Sequence, residues 1–405
     1  MSAEVIQLTA SKDAYYAPDF ELWVFNSPAA PTVVRDIIEI KYEDALERID
    51  GFTLTVNNWN AQTQRPIYYG YYKDEPTAEH PTLFEPGTEL MLFMGWTGDT
   101  RLMMTGRVTS VDVQFPETGH SKLVVSGLNI LDKLRTRQFT WTWPDDGSLS
   151  IRDSDVALAL ATKPDDKRGK PGFGIEVRVD DAAKGKEPPL DKIVMSNQFP
   201  ILFLMQRARE RGYEVLLGEE ADENGKVSQH VYFGPTRSLR DVAYDLEWGK
   251  SLISFHPSFS DSKRVYAATV GGYDRTAKKA ISVRRTIDDL LKDPPQGAPL
   301  PNADHVDVVK VCNREEVVAE PPARTDKEAK DRADAILVTS QQGLVEATGT
   351  TIGLPDLRAG RTVNIRGTGW HFDGRYAVVS STHTLADNGY RTSFTARRIG
   401  PEFAS

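Results

Sequence analysis

Hydrophobic and polar residues alternate with a period of two over much of the chain, and this pattern predicts a protein built mainly from strands. VVRDIIEIKY (33–42) and FTLTVN (52–57) alternate or are β-branched, with Asp50-Gly51 supplying a turn between them. Glu89–Phe93, Leu102–Val113 and Ser121–Ser126 continue the series, and Gly87, Gly95, Gly98, Gly106 and Gly119 punctuate it. Residues 58–87 are polar, aromatic and proline-bearing and read as a long loop, with Trp59, Tyr68, Tyr69, Tyr71 and Tyr72 in it. An aromatic-rich exposed loop is typical of an assembly contact.

Near residue 150 the period changes. SIRDSDVALALAT (150–162) predicts a helix capped by Ser or Asp, and a Lys/Pro-rich linker (163–172) and the strand GIEVRV (174–179) follow. QFPILFLMQRARER (198–211) predicts an amphipathic helix ending at Gly212, with Arg207, Arg209 and Arg211 in its last turns. YEVLLG and HVYFG then form a hairpin. From Asp245 strands resume. Residues 286–322 read as an extended loop, and 325–340 as a helix with Ala329, Ala333, Ile336 and Leu337 on one stripe. The chain thus divides into a strand-rich part at 1–148, an α/β insert at 149–244 and a second strand-rich part at 245–405.

The two strand-rich parts share a pattern. PGTELMLFMG, GRVTSVDV and TGHSKLVVSG in the first correspond to AGRTVNIRG, GRYAVVSST and NGYRTSFTARR in the second. Each series is preceded by a segment that reads as a hairpin, ERIDGFTLTVNN in one and SDSKRVYAATVGGYD in the other. A structural duplication is expected, pairing about 30–135 with about 245–285 plus 345–398.

Composition narrows the function. Of 405 residues, 40% are hydrophobic and 26% charged, ordinary for a globular protein of several domains. No apolar run is long enough for a transmembrane helix. The N-terminus has no basic segment followed by an apolar one, so synthesis and folding in a cytoplasm are expected. A net charge of −9 repels nucleic acid, so no sequence-specific nucleic-acid binding is expected. Cys312 is the only cysteine, which excludes an internal disulfide and a cysteine-based zinc site.

Candidate chemistry centres on WHFDG (370–374). His371 and Asp373 are two apart and could share a metal, but two ligands fall short of the three that catalytic zinc usually takes, and His383 on a facing strand would have to supply the third. Asp-Gly turn chemistry is the simpler reading: Asp373-Gly374 makes the turn, Gly374 takes positive φ, and Trp370 and Phe372 anchor the hairpin. Tyr376, Val378 and Ser380 are then expected on one strand face. In GLPDLRAG (353–360), Asp356 and Arg358 suggest a charge-paired loop or a substrate clamp. Glu39, Glu43 and Glu47 could supply paired carboxylates, but a solvated acidic face is the favoured reading. No GxSxG, P-loop, dinucleotide fingerprint or HExxH is present, so no catalytic, metal or cofactor-binding residue is assigned and no cofactor is expected.

WGKSLISFHPSFSDSKRVYAATVGGYDRTAKKAI (248–281) and GTTIGLPDLRAGRTVNIRGTGWHFDGRYAVVSSTHTLADNGYRTSFTARR (349–398) resemble the phage late control D family. These are baseplate hubs of contractile tails, similar to the first half of VgrG-type spike proteins. SNQFPILFLMQRARERGYEV (196–215) resembles that family's helix before its central hairpin. The resemblance covers about 190–398, and the first region only by architecture. It implies a mainly β protein with a smaller α/β part: two tube-like antiparallel β-barrel domains plus the α/β insert. It also implies a homotrimer that adapts a six-fold inner tube to a three-fold spike around a central channel, with tube, spike and baseplate wedge proteins as partners and no membrane insertion of its own. VgrG-type spikes continue into a needle, whereas this sequence stops at RRIGPEFAS, so a separate spike protein is expected. The alternative is a peptidoglycan-active or carbohydrate-binding baseplate protein, which catalytic spacing would favour.

Overall fold

In the computed structural model the described residues run from 17 to 400, apart from 71–82, 222–226, 236–241, 260–264, 294–313, 343–344 and positions 47, 136, 166, 182, 212, 276 and 370. Trp370, Cys312, Glu47, Tyr71, Tyr72 and the helix-ending Gly212 therefore lie outside the described residues.

The protein is mainly β, dominated by one sheet of 13 strands. The period-two pattern explains the individual strands. Ile37–Ala45 turns Ile40, Tyr42 and Asp44 inward, and Gly51–Asn57 turns Phe52, Leu54 and Val56 inward. Lys122–Asn129 adds Leu123 and Val125 to the same core. Each such apolar side chain gains about 1.5–3 kcal/mol on burial.

The strand order repeats. In the first half the path runs Ile37–Ala45, Gly51–Asn57, Lys122–Asn129, Asp99–Gln114, Glu89–Trp96, Pro18–Val24. In the second half it runs Leu252–Phe259, Val345–Ile352, Gly389–Gly400, Gly374–Ala386, Thr362–Arg366, Val242–Glu247. The repeat extends to single hydrogen bonds. Gly87 N donates to Val108 O and Val108 N to Thr88 O, at 2.8 and 2.9 Å; Gly360 N donates to Val378 O and Val378 N to Arg361 O, at 2.9 and 2.8 Å. Both long strands carry a register shift just beyond, at Val108/Ser110 and at Val378/Ser380. The last strands differ, since Pro18–Val24 joins its neighbour antiparallel and Val242–Glu247 joins parallel.

Four expectations need correction. SDSKRVYAATVGGYD is not the counterpart of the first hairpin: Ala267–Asp274 lies in a separate three-stranded sheet with Lys279–Thr286 and Glu315–Ala323. The true counterpart strands, Leu252–Phe259 and Val345–Ile352, are paired although the 85 residues 260–344 lie between them in the chain. The segment from 33 opens with a helix, Pro31–Asp36, because Pro31 at its start pre-sets helical φ. The 286–322 segment is not all loop. It contains the helix Ile287–Lys292, capped reciprocally by Thr286 and Asp289, and the strand Glu315–Ala323. At the insert's first helix, Asp153–Leu160, the cap position is Arg152 rather than Ser or Asp.

The insert core gathers Leu131, Phe139, Trp143, Val156, Ile193, Leu204, Val215 and Phe233. There the buried Asp153 accepts from Arg207 Nε at 2.6 Å and Arg211 Nε at 2.7 Å, tying the helix Pro200–Arg211 to the first one. The helix Asp326–Gln342 covers the three-stranded sheet with Ala329, Ala333 and Leu337, all fully buried.

The two repeats fill equivalent positions differently. Leu54 faces Val125 in one, and Gly349 faces Phe394 in the other. A methyl on Gly349 would sit 2.5 Å from the Phe394 ring. Gly349→Ala is expected to cost about 1–3 kcal/mol in urea unfolding, and adding Phe394→Leu should recover part of it. Simple additivity of the two losses would contradict this packing account.

Candidate functional site

The two repeats meet along one seam. Strand Ile37–Ala45 pairs with the far half of Gly374–Ala386, from Ser380↔Ala45 to Leu385↔Ile40. The register shift at Val378/Ser380 decides what faces this seam. It flips the alternation, so Tyr376 and Val378 are buried on one side of the shift and Ser381 and His383 beyond it. The expectation that Ser380 shares the face of Tyr376 and Val378 is thereby corrected.

A polar network fills the seam. Asp44, only 5% exposed, accepts from Arg358 Nε, Ala359 N and Ser381 N, each at 3.1 Å, and from the Ser381 hydroxyl. Arg358 also donates to Met103 O at 2.8 Å and to the Tyr42 hydroxyl, and its guanidinium lies 4.8 Å from the centre of the Tyr42 ring. His383 is fully buried: Nε2 lies 3.1 Å from Ser381 Oγ and 3.2 Å from Leu357 O, and Nδ1 lies 2.9 Å from Tyr390 Oη and 3.1 Å from Thr392 Oγ1.

The GLPDLRAG loop is what brings Arg358 here. Leu354 and Leu357 are buried, Leu354 N donates to Thr392 Oγ1 at 3.0 Å, and Trp96 Nε1 donates to Gly353 O at 2.9 Å. Asp356 pairs with Arg101 of the first repeat. The insert joins the same junction. Glu219 accepts from Thr105 N at 2.9 Å and from Gln229 Nε2 at 2.7 Å, and Gly360, at φ +80°, leaves only 3.0 Å between its missing Cβ and Leu216.

Electrostatics follow from burial. Burial and the neighbouring Asp44 push the Asp50 carboxyl up to about 7, against the opposing pull of Arg358 and of Asn129, whose Nδ2 donates at 3.0 Å. Burial also raises Glu219 and holds His383 down at about 4. Burial alone would lower Arg358, but Tyr42, Asp44 and Asp50 outweigh it and keep it charged.

Ser381, His383 and Asp44 have the residue types of a hydrolytic triad but not its geometry. The carboxylate binds the serine instead of orienting the histidine, and no substrate reaches side chains 2% and 0% exposed. The arrangement is chemically a latch between repeats.

The other candidates lie away from the seam. Asp373 Oδ1 accepts from Thr368 N at 2.7 Å and Thr368 Oγ1 at 2.8 Å, closing the WHFDG turn. Arg398 donates to His371 O at 2.6 Å and Asp373 O at 2.8 Å, and the Tyr376 hydroxyl donates to Phe372 O at 2.7 Å. Gly374 has φ +138°. Phe372 packs against the second repeat's core. Among the described residues no group of three or more His, Cys, Asp or Glu is placed to hold a metal. Glu43 pairs with Lys41 on the uncovered face of the sheet. Sequence reasoning singled out Asp356 and Arg358 but missed Tyr42, Asp44, Asp50, Ser381 and Tyr390. The period-two phase from Ile40 points Asp44 inward and was the available signal.

No family model matches the chain, and no curated protein matches it. Solved structures do. A 43 kDa tail protein of prophage MuSo2 from Shewanella oneidensis aligns with TM-score 0.62 at 16% identity, over 95% of this chain and 99% of that one. The fold is like that of phage tail proteins. A tail protein from Neisseria meningitidis MC58 aligns equally, with TM-score 0.62 at 14% identity, over 95% of this chain and all of that one. An Escherichia coli component of the type VI secretion system, described as structurally similar to the T4 tail proteins gp27 and gp5, aligns with TM-score 0.52 at 10% identity, over 95% of this chain and 77% of that one.

Removing one partner of the seam leaves a buried charge alone. Arg358→Met is expected to cost about 3–5 kcal/mol. For Asp50 the folded value, about 7, lies above the usual 3.8, so its contribution is present at low pH and lost as pH rises through 7. His383 acts oppositely, its contribution being lost as pH falls from 6.5 towards 4. Wild type should therefore lose stability between pH 6 and 8, and Asp50→Asn should abolish that loss. Urea midpoints at the two pH values test this, and an unchanged loss in the variant would refute it.

Proposed function

We propose that the protein is a structural baseplate hub of a contractile phage tail or contractile injection system. In this reading it is a homotrimer that adapts a six-fold inner tube to a three-fold spike, with a central channel. The observation that carries the proposal is the repeated strand order within one chain. Three subunits, each presenting two similar units, offer six near-equivalent positions on one side and true three-fold symmetry on the other. The likeness in fold to tail proteins and to a type VI secretion component supports the same reading.

The proposal takes each repeat as a tube-like β-barrel domain, at 1–148 and 245–405, with the α/β insert at 149–244 between them. The partners are an inner-tube protein, a separate spike and baseplate wedge proteins, and the role is non-enzymatic. The WHFDG hairpin, with Phe372, Asp373 and Gly374, serves as an assembly turn. Asp373 closes the turn on Thr368, and Arg398 of the neighbouring strand holds the His371 and Asp373 carbonyls, which supports a structural role.

The mass of the purified protein, alone and with its spike, is expected to correspond to three copies. Gly374→Val should lower the number of assembled particles counted by electron microscopy, because positive φ resists a β-branched residue. Asp373→Asn should be nearly silent, since an amide oxygen can accept both Thr368 bonds. Normal particle numbers with lost injection activity in Asp373→Asn would mean that the turn is chemistry.

A further inference from the structure

The internal seam is a template for a contact that one chain cannot complete. The repeat equivalence, followed rung by rung through the ladders, maps Val378 onto Val108, Leu385 onto Phe115, Ile40 onto Phe255 and Glu43 onto Ser258. The seam joins the first strand of repeat one to the far half of the long strand of repeat two. The equivalent surfaces are the outer edge of Leu252–Phe259 and the far half of Asp99–Gln114. Among the described residues neither edge has a strand partner. Leu252–Phe259 ends the sheet path, and Glu89–Trp96 covers Asp99–Gln114 only as far as Arg107.

Both edges carry apolar side chains in water. Phe115 is 65% exposed beside one, and Ile253 51% exposed on the other. The internal counterparts of Phe115 and of the half-buried Phe255, namely Leu385 and Ile40, face each other across the closed seam. The polar latch has no counterpart either: Asp44, Tyr42, Ser381 and His383 map onto Phe259, Pro257, Val111 and Val113. An apolar contact suits surfaces that meet only after each chain has folded, whereas a buried carboxylate would first have to be exposed in the free subunit. Pro257 lacks a donor and limits indiscriminate pairing at the open edge.

We propose that the edge at Phe255–Phe259 of one copy pairs antiparallel with Val111–Phe115 of a second copy, in the register of the internal seam. Phe115 then faces Phe255, Gln114 faces His256, Val113 faces Pro257, and Asp112 faces Ser258. This rests on the trimeric reading and specifies its interface. The two edges are different surfaces, so the contact is head-to-tail. It must close into a ring or run on as a filament, and two repeats per chain let three copies close the ring.

The pair Asp112→Cys with Ser258→Cys tests it, in a Cys312→Ser background. Both positions are exposed, and directly opposed strand residues lie within disulfide reach. Mild oxidation should give disulfide-linked dimers and trimers on a non-reducing gel. Glu43→Cys with Thr382→Cys, across the internal seam, should close within one chain and serves as the control. A trimeric mass without the intersubunit link, while the control closes, overturns the edge contact and leaves the hub reading standing. A monomeric mass at every concentration, with and without spike, overturns both. Separately, Phe115→Asp should remove the trimer peak while keeping the wild-type melting temperature of the monomer, and an unchanged trimer would sink the proposal.

Discussion

A carboxylate that points into a protein interior must be neutralised there, and Asp44 makes that demand at the line where the two halves of this molecule meet. Its needs are met almost wholly by the second half: the Arg358 guanidinium, two backbone N–H groups and the Ser381 hydroxyl. Arg358 in turn reaches the backbone of the first half at Met103. The position of the GLPDLRAG loop and the phase of the strand after the WHFDG turn converge on this one charge, and the insert joins the same junction at Thr105.

That convergence explains which parts of the structure were legible in the sequence. Strands with one covered face announce themselves by alternation, so Gly51–Asn57 and Lys122–Asn129 stood out. The stripe of Ala329, Ala333 and Leu337 likewise marked its helix. Arg358 could be recognised as a charge needing a partner. Its partner is 314 residues away, and no local period encodes that pairing. The shift at Val378/Ser380 was equally hidden, because a bulge changes the phase of a strand without any obligatory residue type. The repeat was visible in glycine and strand spacing, but the assumption that paired strands are neighbours in sequence misplaced one hairpin.

The two repeats depart from each other where they meet different surroundings. Strand Pro18–Val24 runs antiparallel to Glu89–Trp96, whereas Val242–Glu247 follows the insert and runs parallel to Thr362–Arg366. A parallel pairing needs a long crossover, which a strand delivered from another part of the fold provides. Equivalent core positions are filled by compensating pairs, Leu54 with Val125 in one repeat and Gly349 with Phe394 in the other, on the same ladder geometry.

The pairing of Ile37–Ala45 with Gly374–Ala386 also sets an order of events during synthesis. Asp44 and Ser381 are 337 residues apart in the chain. At about 5–20 residues per second, strand Ile37–Ala45 leaves the ribosome roughly 20–70 s before the strand that will cover its edge. Throughout that interval the N-terminal half carries an unpaired edge and the inward carboxylate of Asp44 without its arginine. Completion of the fold is therefore gated by strand Gly374–Ala386, and any nascent protein that terminates before Ser380 is left with its central seam open.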